Sequence, residues 1–242
     1  MIRQISLITL REGASPDRVA GLESALATAA ETHEGILHSQ AGRHLPGSLC
    51  ADYTWDVALD GQTTPGIEVL QSSPSLRPHF HPTEDGEPAL VAHVDTVRFE
   101  HQHGANPEPA IGPCIKRTLL LSVQPGTPAD QQEQFERDMM RMPEYIPEIR
   151  NWALSRTDTA LQPTAWTHVW EQEYEDLAGL QGGYMTSPFH WGLIDGWFDP
   201  ECPKRIVENR FAHVYCEAPA SVLAWESVGT SAPRTRPGHT GG

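Results

Sequence analysis

An internal repeat constrains this sequence more than any other feature, because residues of similar type recur at a spacing of 113 positions. The spacing holds without a gap across about fifty positions, which is what a tandem duplication leaves behind. The matched pairs are Ile2 and Ile115, Arg3 and Lys116, Gly13 and Gly126, Asp17 and Asp130, Leu22 and Phe135, Ile36 and Ile149, Arg43 and Arg156, and Thr54 and Thr167. We therefore predict two halves with one folding plan.

Composition marks the limits of these halves. The first half spans residues 1–103, and the Pro- and Gly-rich stretch 104–113 is predicted to be a linker. The second half spans residues 114–217. Beyond it the sequence is dominated by Ala, Pro, Ser, Thr and Gly, which predicts a flexible tail over residues 218–242.

Strand and helix signals alternate in each half. In the second half an alternating apolar run over 119–123 predicts a strand. Thr127 and Pro128 then occupy the N-cap and first helical positions, as Ser15 and Pro16 do in the first half, and both pairs predict a following helix. Further strands are predicted over 149–156, 165–173 and 206–215, with a helical region from Asp176 to Tyr184.

This element order is β-α-β-β-α-β in each half, the ferredoxin-like arrangement of an antiparallel sheet with helices on one face. The other face of each sheet also carries apolar residues and must be covered. Packing the two sheets against each other meets that need. We therefore predict an α+β fold in which two ferredoxin-like repeats form an intramolecular α/β barrel.

Charge and cysteine usage exclude several classes of protein. The formal net charge of −15, from 32 acidic and 17 basic residues, opposes binding to nucleic acid or to an anionic membrane. No apolar run is long enough to span a bilayer and the N-terminus lacks a signal-peptide pattern, so we expect a cytoplasmic protein. The four cysteines are scattered without a CxxC motif, which predicts reduced structural thiols.

The first half is rich in histidine, including the pairs His79 with His81 and His101 with His103. Two histidines separated by one residue can begin a metal site. These pairs lie in a Pro-rich loop and beside the linker, so we interpret them as surface histidines and predict neither a metal nor an organic cofactor.

Residues 183–190 read Gly-Tyr-Met-Thr-Ser-Pro-Phe-His. This segment resembles the Tyr-x-x-x-Pro-x-His segment of the stress-responsive A/B barrel (Dabb) domains, a family of dimeric α/β barrels. Thr167-His168-Val169 also resembles a family feature. The resemblance covers Ile115 to about Cys216 well and Ile2 to about Glu100 more weakly. Family members usually pair two chains to form a barrel; a tandem copy would form it within one chain, with a homodimer as a further alternative.

The resemblance implies a catalytic pair. In a plant polyketide cyclase of this family the Tyr and His of the segment act without metal or organic cofactor, which implies the same roles for Tyr184 and His190. An imidazole can accept a proton alpha to a carbonyl, and a phenol can bind the carbonyl oxygen as negative charge develops. The two residues are six positions apart, so they can meet only if the chain turns at Pro188.

Other candidate site residues lie in the same half. We expect His168, Arg117, Trp166, Trp170 and Trp191 to bind substrate. A core histidine, an ion-paired arginine and structural tryptophans are the alternatives.

The first half departs from the family pattern. Arg117 stands where family members often have a first-strand His, and Gln4 occupies the same position in the first half. Leu70 and Leu76 match the Tyr/His positions. This predicts a single site, formed by the second half and covered by the first.

Together these patterns favour a cofactor-independent lyase or cyclase acting on a small hydrophobic or aromatic, polyketide-like carbonyl compound. A non-catalytic ligand-binding or stress-responsive barrel protein is the alternative. A cofactor-free monooxygenase is a third hypothesis.

Overall fold

The computed structural model describes residues 1–61 and 70–225. The first half contains β1 (Ile2–Leu10), α1 (Pro16–Ala27), α2 (Ala29–Thr32), β2 (Ile36–Arg43), β3 (Tyr53–Leu59), α3 (Arg77–Phe80) and β4 (Val91–Glu100). The second half contains β5 (His103–Ala105), β6 (Cys114–Val123), α4 (Ala129–Met140), α5 (Met142–Tyr145), β7 (Asn151–Arg156), β8 (His168–Tyr174) and β9 (Val207–Ala218). Two π-helical segments, Gly179–Tyr184 and His190–Ile194, and a 3-10 turn, Asp195–Trp197, lie between β8 and β9.

The strands form two antiparallel sheets with the orders β2-β3-β1-β4 and β5-β7-β8-β6-β9. Apart from β5, strands in equivalent places follow the same order, so the fold is α+β and ferredoxin-like. Ile5 pairs with Asp56, and Thr118 pairs with Glu171. Asp56 and Glu171 are 115 residues apart, so the spacing of 113 suggested by the sequence does not persist to the third strand of each half.

Strand β6 lies between β8 and β9 in the second sheet, and all of its residues are buried. Leu119 and Leu121 pack into the core on the helical side of the sheet, whereas Leu120 packs toward the first sheet. A strand buried on both faces is expected to be a nearly continuous apolar run.

The helix starts differ between the halves. Ser15 is the N-cap of α1, its side chain accepts a hydrogen bond from the Arg18 N–H at 3.4 Å, and Pro16 is the first helical residue, as predicted. The prediction of Thr127 as N-cap is wrong: Pro128 occupies that position. The Thr127 hydroxyl instead donates to the Gln124 carbonyl at 2.7 Å, which stabilises the preceding turn.

The two sheets contact each other through a shared hydrophobic cluster. Its buried members are Ile5, Leu7, Val97 and Phe99 from the first sheet with Leu120, Val169, Ala212 and Val214 from the second, together with Trp166. At one edge, bridges join His44 to Cys216 and Leu49 to His213, so the chain after β2 lies along β9.

Four charged side chains are also buried between the sheets. Asp56 accepts hydrogen bonds from Arg3 at 3.1 Å and Lys116 at 2.8 Å, and Glu171 lies 3.0 Å from Arg3 and 3.1 Å from Lys116. Burial alone would raise the pKa of Glu171, but the charges of Arg3 and Lys116 hold it below its usual value. Each half contributes one cation and one anion to this cluster.

The segment 218–225, predicted as part of a flexible tail, is packed. The buried carboxylate of Glu173 accepts the Ser221 hydroxyl at 2.6 Å and the N–H groups of Val222 at 2.7 Å and Leu223 at 3.1 Å. The ring of Trp225 stacks on His38 at 5.2 Å. A buried acid needs donors, and this segment supplies them. Residues 226–242 of the predicted tail lie outside the described residues.

The predicted linker is also partly ordered by pairing. Strand β5 pairs with β7, and the Glu108 N–H donates to the Asn151 side-chain oxygen at 3.0 Å. Within residues 1–61 and 70–225, no helix is long and apolar enough to cross a membrane.

Candidate active site

The candidate pair lies in a helical region with two π-helical segments. Tyr184 ends the segment Gly179–Tyr184, and His190 begins the segment His190–Ile194. Pro188 stands between them and has no N–H to donate, so it interrupts regular helical hydrogen bonding. Single π-helical turns are rare and occur often at functional sites.

This irregular winding brings the two side chains together. In a regular α-helix, positions six apart would lie about 120° apart around the axis and their side chains would diverge. In this structure the ring centroids of Tyr184 and His190 are 4.4 Å apart with an interplanar angle of 43°. The two rings therefore meet, as the proposed pair requires, through the irregular helical winding around Pro188.

Both rings border a cavity of about 240 Å³. It lies between the β6–β9 part of the second sheet and the π-helical region. Its lining residues are Arg117, Leu119, Met139, Tyr184, Met185, His190, Ile194, Asp195, Phe198, Phe211 and His213. All of them belong to the second half, as predicted, but the expectation that the first half covers this site is wrong. The first sheet packs against the opposite face of the second sheet, where Leu120 points.

Arg117 is the buried cation of the cavity. Its Nε donates to His213 Nε2 at 2.7 Å, and its Nη1 donates to Gln172 Oε1 at 2.6 Å. Its guanidinium carbon lies 4.9 Å from the centre of the Tyr184 ring, a cation–π distance. Because a guanidinium only donates, His213 Nε2 must be the acceptor, which requires a neutral imidazole with its proton on Nδ1.

The electrostatics of the cavity keep both histidines neutral. Burial, followed by the charge of Arg117, lowers the pKa of His190 to about 4. Burial, Arg117 and His190 lower the pKa of His213 to about 3. His190 Nδ1 is buried with no hydrogen-bond partner among the described residues.

Burial raises the pKa of the Tyr184 phenol, with Arg117 opposing the shift and Asp195 adding to it. The phenol therefore keeps its proton at neutral pH and can donate it in a hydrogen bond. A neutral imidazole, a protonated phenol and a guanidinium on one largely apolar cavity are suited to binding an oxygen atom that becomes negatively charged.

Two predicted substrate-binding residues lie elsewhere. His168 is buried in β8, where its Nε2 contacts Glu136 Oε1 at 3.0 Å. Burial alone would raise the pKa of Glu136, but hydrogen bonds from His168 and Arg156 lower it to about 2. Trp166 lies before β8 and packs between the sheets, and its Nε1 donates to Asp95 at 2.8 Å. The structure does not bring either side chain to the cavity.

The other two predicted tryptophans, Trp170 and Trp191, do not line the cavity either. Trp170 is fully buried in the core of the second half. Trp191 is 53% exposed, its ring centre is 5.0 Å from that of His190, and its Nε1 donates to the Met185 carbonyl. Trp191 therefore lies beside the catalytic candidates on the surface.

Sequence reasoning missed His213 and Phe211 as cavity residues. Both lie on β9, which pairs with β6 so that His213 is opposite Leu119 and Phe211 is opposite Leu121. The alternation Phe211, His213, Tyr215 was the available signal. To place these residues at the cavity one must know the register between β6 and β9, which are distant in sequence.

The corresponding region of the first half is filled. Leu70 and Leu76 are fully buried in the core of that half. Gln4, at the position of Arg117, accepts hydrogen bonds from Arg98 at 2.8 and 2.6 Å.

The described part of the chain contains no group of three or more His, Cys, Asp or Glu side chains close enough to hold a metal ion. The four cysteines are free: Cys114 and Cys216 are buried, Cys202 is partly buried and Cys50 is exposed.

Comparison with solved structures shows a shared fold. The chain is similar to an anthrone oxidase-like protein, with a TM-score of 0.58 at 11% identity, covering 89% of this chain and 90% of that chain. It is also similar to a candidate monooxygenase from Lactobacillus acidophilus NCFM, with a TM-score of 0.50 at 12% identity and coverage of 92% and 98%. A mutant of chlorite dismutase from Candidatus Nitrospira defluvii aligns with a TM-score of 0.54 at 10% identity and coverage of 93% and 94%. Identities this low establish the fold alone.

Comparison by sequence is more specific. No match was found among curated proteins. The family model described as stress responsive A/B barrel domain (Dabb) matches residues 115–210, which include β6 to β8, both π-helical segments and the start of β9. Residues 115–210, most of the second half, are therefore similar to the stress responsive A/B barrel domain family.

Proposed function

We propose that this chain is a cofactor-independent enzyme, a lyase or cyclase, that acts on a small hydrophobic or aromatic carbonyl compound of polyketide type. His190 is the base and Tyr184 binds the carbonyl oxygen. The observation that carries the proposal is the approach of these two rings to 4.4 Å on one largely apolar cavity.

The proton transfer follows from the charges around the cavity. His190 accepts a proton from the carbon alpha to the carbonyl, and the electron pair moves to the carbonyl oxygen to form an enolate. A base whose pKa is about 4 is weak unless negative charge develops beside it. Burial lowers that pKa most and the charge of Arg117 adds to the effect. The developing enolate offsets the charge of Arg117, so the imidazolium and the enolate stabilise each other while Tyr184 donates to the oxygen.

The proposal includes a tandem duplication whose two sheets close into one intramolecular barrel. The hydrophobic cluster shared by the sheets and the bridges from His44 and Leu49 to β9 support this arrangement. In it the second half performs catalysis, and the first half supplies the second wall of the barrel.

The test is turnover of a panel of polyketide-like β-keto thioesters and aromatic carbonyl compounds. We expect His190→Ala to lower kcat/KM by about 100-fold or more, because a positioned general base contributes on that order. Tyr184→Phe is expected to lower kcat by about 10-fold or more, because it removes one oxygen-binding donor.

Two matched variants lie outside the cavity. His103→Ala alters an exposed histidine of β5, and Tyr145→Phe alters a half-exposed tyrosine. Both should keep wild-type rates. Unchanged rates in His190→Ala and Tyr184→Phe on a substrate that the wild type converts would refute the assigned roles. Ligand binding without any turnover would favour a non-catalytic binding or stress-responsive protein.

A second candidate, cofactor-free oxygenation, is favoured by the names of two structural neighbours, the candidate monooxygenase and the anthrone oxidase-like protein. It predicts oxygen consumption in an electrode when wild-type protein is mixed with an electron-rich phenol or anthrone. Absence of consumption across that panel would count against it.

A further inference from the structure

We infer that the cavity beside Tyr184 and His190 selects an anionic ligand, a small monocarboxylate with an aromatic or apolar body, and that Arg117 binds its carboxylate. The inference rests on the proposed function only in using the same cavity.

Arg117 is held in place without being neutralised. It is 4% exposed, and both of its hydrogen-bond acceptors, His213 Nε2 at 2.7 Å and Gln172 Oε1 at 2.6 Å, are uncharged. Gln172 Oε1 is fixed in turn by the Tyr174 hydroxyl at 2.9 Å. Two of the five guanidinium N–H groups are used by these bonds, which leaves donors for a ligand.

Two other buried cations in the same molecule do form ion pairs. Arg3 and Lys116 each lie within 3.1 Å of both Asp56 and Glu171. Within the described residues, Arg117 forms no ion pair. Burying a cation without a counter-ion is unfavourable, so a bound anion would supply the missing partner.

Asp195 is the one carboxylate among the residues that line the cavity, and within the described residues it forms no ion pair with Arg117. The charge of Arg117 nevertheless acts across the cavity, since it adds to burial in lowering the pKa of both His190 and His213. A ligand carboxylate would enter this positive field and form charge-assisted hydrogen bonds with the guanidinium.

The rest of the cavity specifies the body of the ligand. Leu119, Met139, Ile194 and Phe198 contribute an apolar lining. Such walls favour a hydrocarbon or aromatic ring, while the polar groups fix its orientation. A ring bearing one carboxylate satisfies both parts.

The sharpest variant is Gln172→Glu. It preserves the shape of the side chain and the acceptor for Tyr174, but it places a carboxylate against Arg117. Binding of benzoate and of its neutral isostere benzamide is measured by calorimetry. Wild type should bind benzoate about 10-fold or more tightly than benzamide. In Gln172→Glu that preference should disappear, with benzamide affinity changed by less than about 2-fold.

Arg117→Gln is the second variant, and it introduces the residue that the first half carries at Gln4. It should lose benzoate preference in the same way. Arg210→Gln is the matched control, because Arg210 is an exposed cation that pairs with Asp95 outside this cavity. It should keep the wild-type preference.

An independent readout is the pKa of His190 measured by NMR. Benzoate should raise it in wild type, because the ligand offsets the charge of Arg117, and Gln172→Glu should raise it without ligand. Equal affinity of wild type for the two probes, absence of binding by both, or undiminished benzoate preference in Gln172→Glu would overturn the inference. If Arg117→Gln fails to fold, the other measurements still decide. Loss of turnover in His190→Ala does not bear on this result, so the anion site and the catalytic proposal are tested separately.

Discussion

At the scale of single residues, the candidate site places Tyr184 and His190 beside the buried Arg117, and burial together with that positive charge shifts the pKa of both rings. His190 is a neutral base because burial and the charge of Arg117 lower its pKa, and Tyr184 is a neutral donor because burial raises its pKa against the opposing charge of Arg117. Sequence supplied the residue types. Their protonation states follow from packing, since an exposed histidine would be half protonated near pH 6.5.

The histidines give a pH-dependence that can be measured directly. NMR titration should place the midpoints of His190 and His213 near pH 4 and pH 3, well below the ordinary 6.5. Below pH 6.5 the unfolded chain therefore binds protons that the folded chain does not. The two neutral histidines therefore stabilise the folded state fully above pH 6.5. The free energy of unfolding decreases as the pH falls, by on the order of 1 kcal/mol for each histidine between pH 7 and pH 5. Midpoints near 6.5 would show that both imidazoles are solvated, which would contradict their burial in this site.

At the scale of elements, the edge where β2 and the following chain meet β9 depends on close backbone approach. Gly42, near the end of β2, lies against Cys216 of β9. A Cβ added at Gly42 would come within 2.3 Å of Cys216 Sγ and 3.1 Å of the Glu217 carbonyl oxygen. Glycine is therefore required at this contact because there is no space for a side chain.

Gly42→Ala should lower the free energy of unfolding by about 1–3 kcal/mol, as overpacking does in a close-packed interior. Urea unfolding measures the change. Gly182→Ala is the matched control, because a Cβ at Gly182 meets no atom within 4 Å and alanine favours helical backbone. A Gly42→Ala variant as stable as wild type would mean that this edge does not close as described.

At the scale of the whole molecule, the two halves are joined by apolar packing and by the buried cluster of Arg3, Asp56, Lys116 and Glu171. Burial lowers and these anions raise the pKa of Lys116, with a net increase. Each ion of the cluster contacts two opposite charges, one in its own half and one across the interface between the sheets.

Asp56→Asn removes one negative charge and leaves two cations against one anion. We expect it to destabilise the protein by about 3–5 kcal/mol, because breaking a buried pair exposes an uncompensated charge to a dry interior. Glu133→Gln, which breaks an exposed pair with Arg137 on α4, should change stability by less than about 0.5 kcal/mol. An equal loss of stability in Asp56→Asn and Glu133→Gln would contradict burial of the charged cluster between the sheets.

Several features followed from local pattern and were correct. The alternating run over 119–123 predicted β6, the Ser15-Pro16 start predicted α1, and the Tyr184-to-His190 segment predicted the family. Features that depend on contacts between residues distant in sequence were not predicted. His213 joins the cavity through strand pairing, and residues 218–225 are ordered by the buried carboxylate of Glu173.

The sequence by itself determined the ferredoxin-like element order and the residue types of the site, because hydrophobic periodicity, capping and a short motif act over a few neighbouring residues. Only the tertiary structure decided that the cavity lies between the second sheet and its helical cover, that His168 and Trp166 are outside it, and that Arg117 has neutral partners. Those outcomes depend on strand register and on which face of the sheet each side chain occupies, and a change of one residue in register would reverse them.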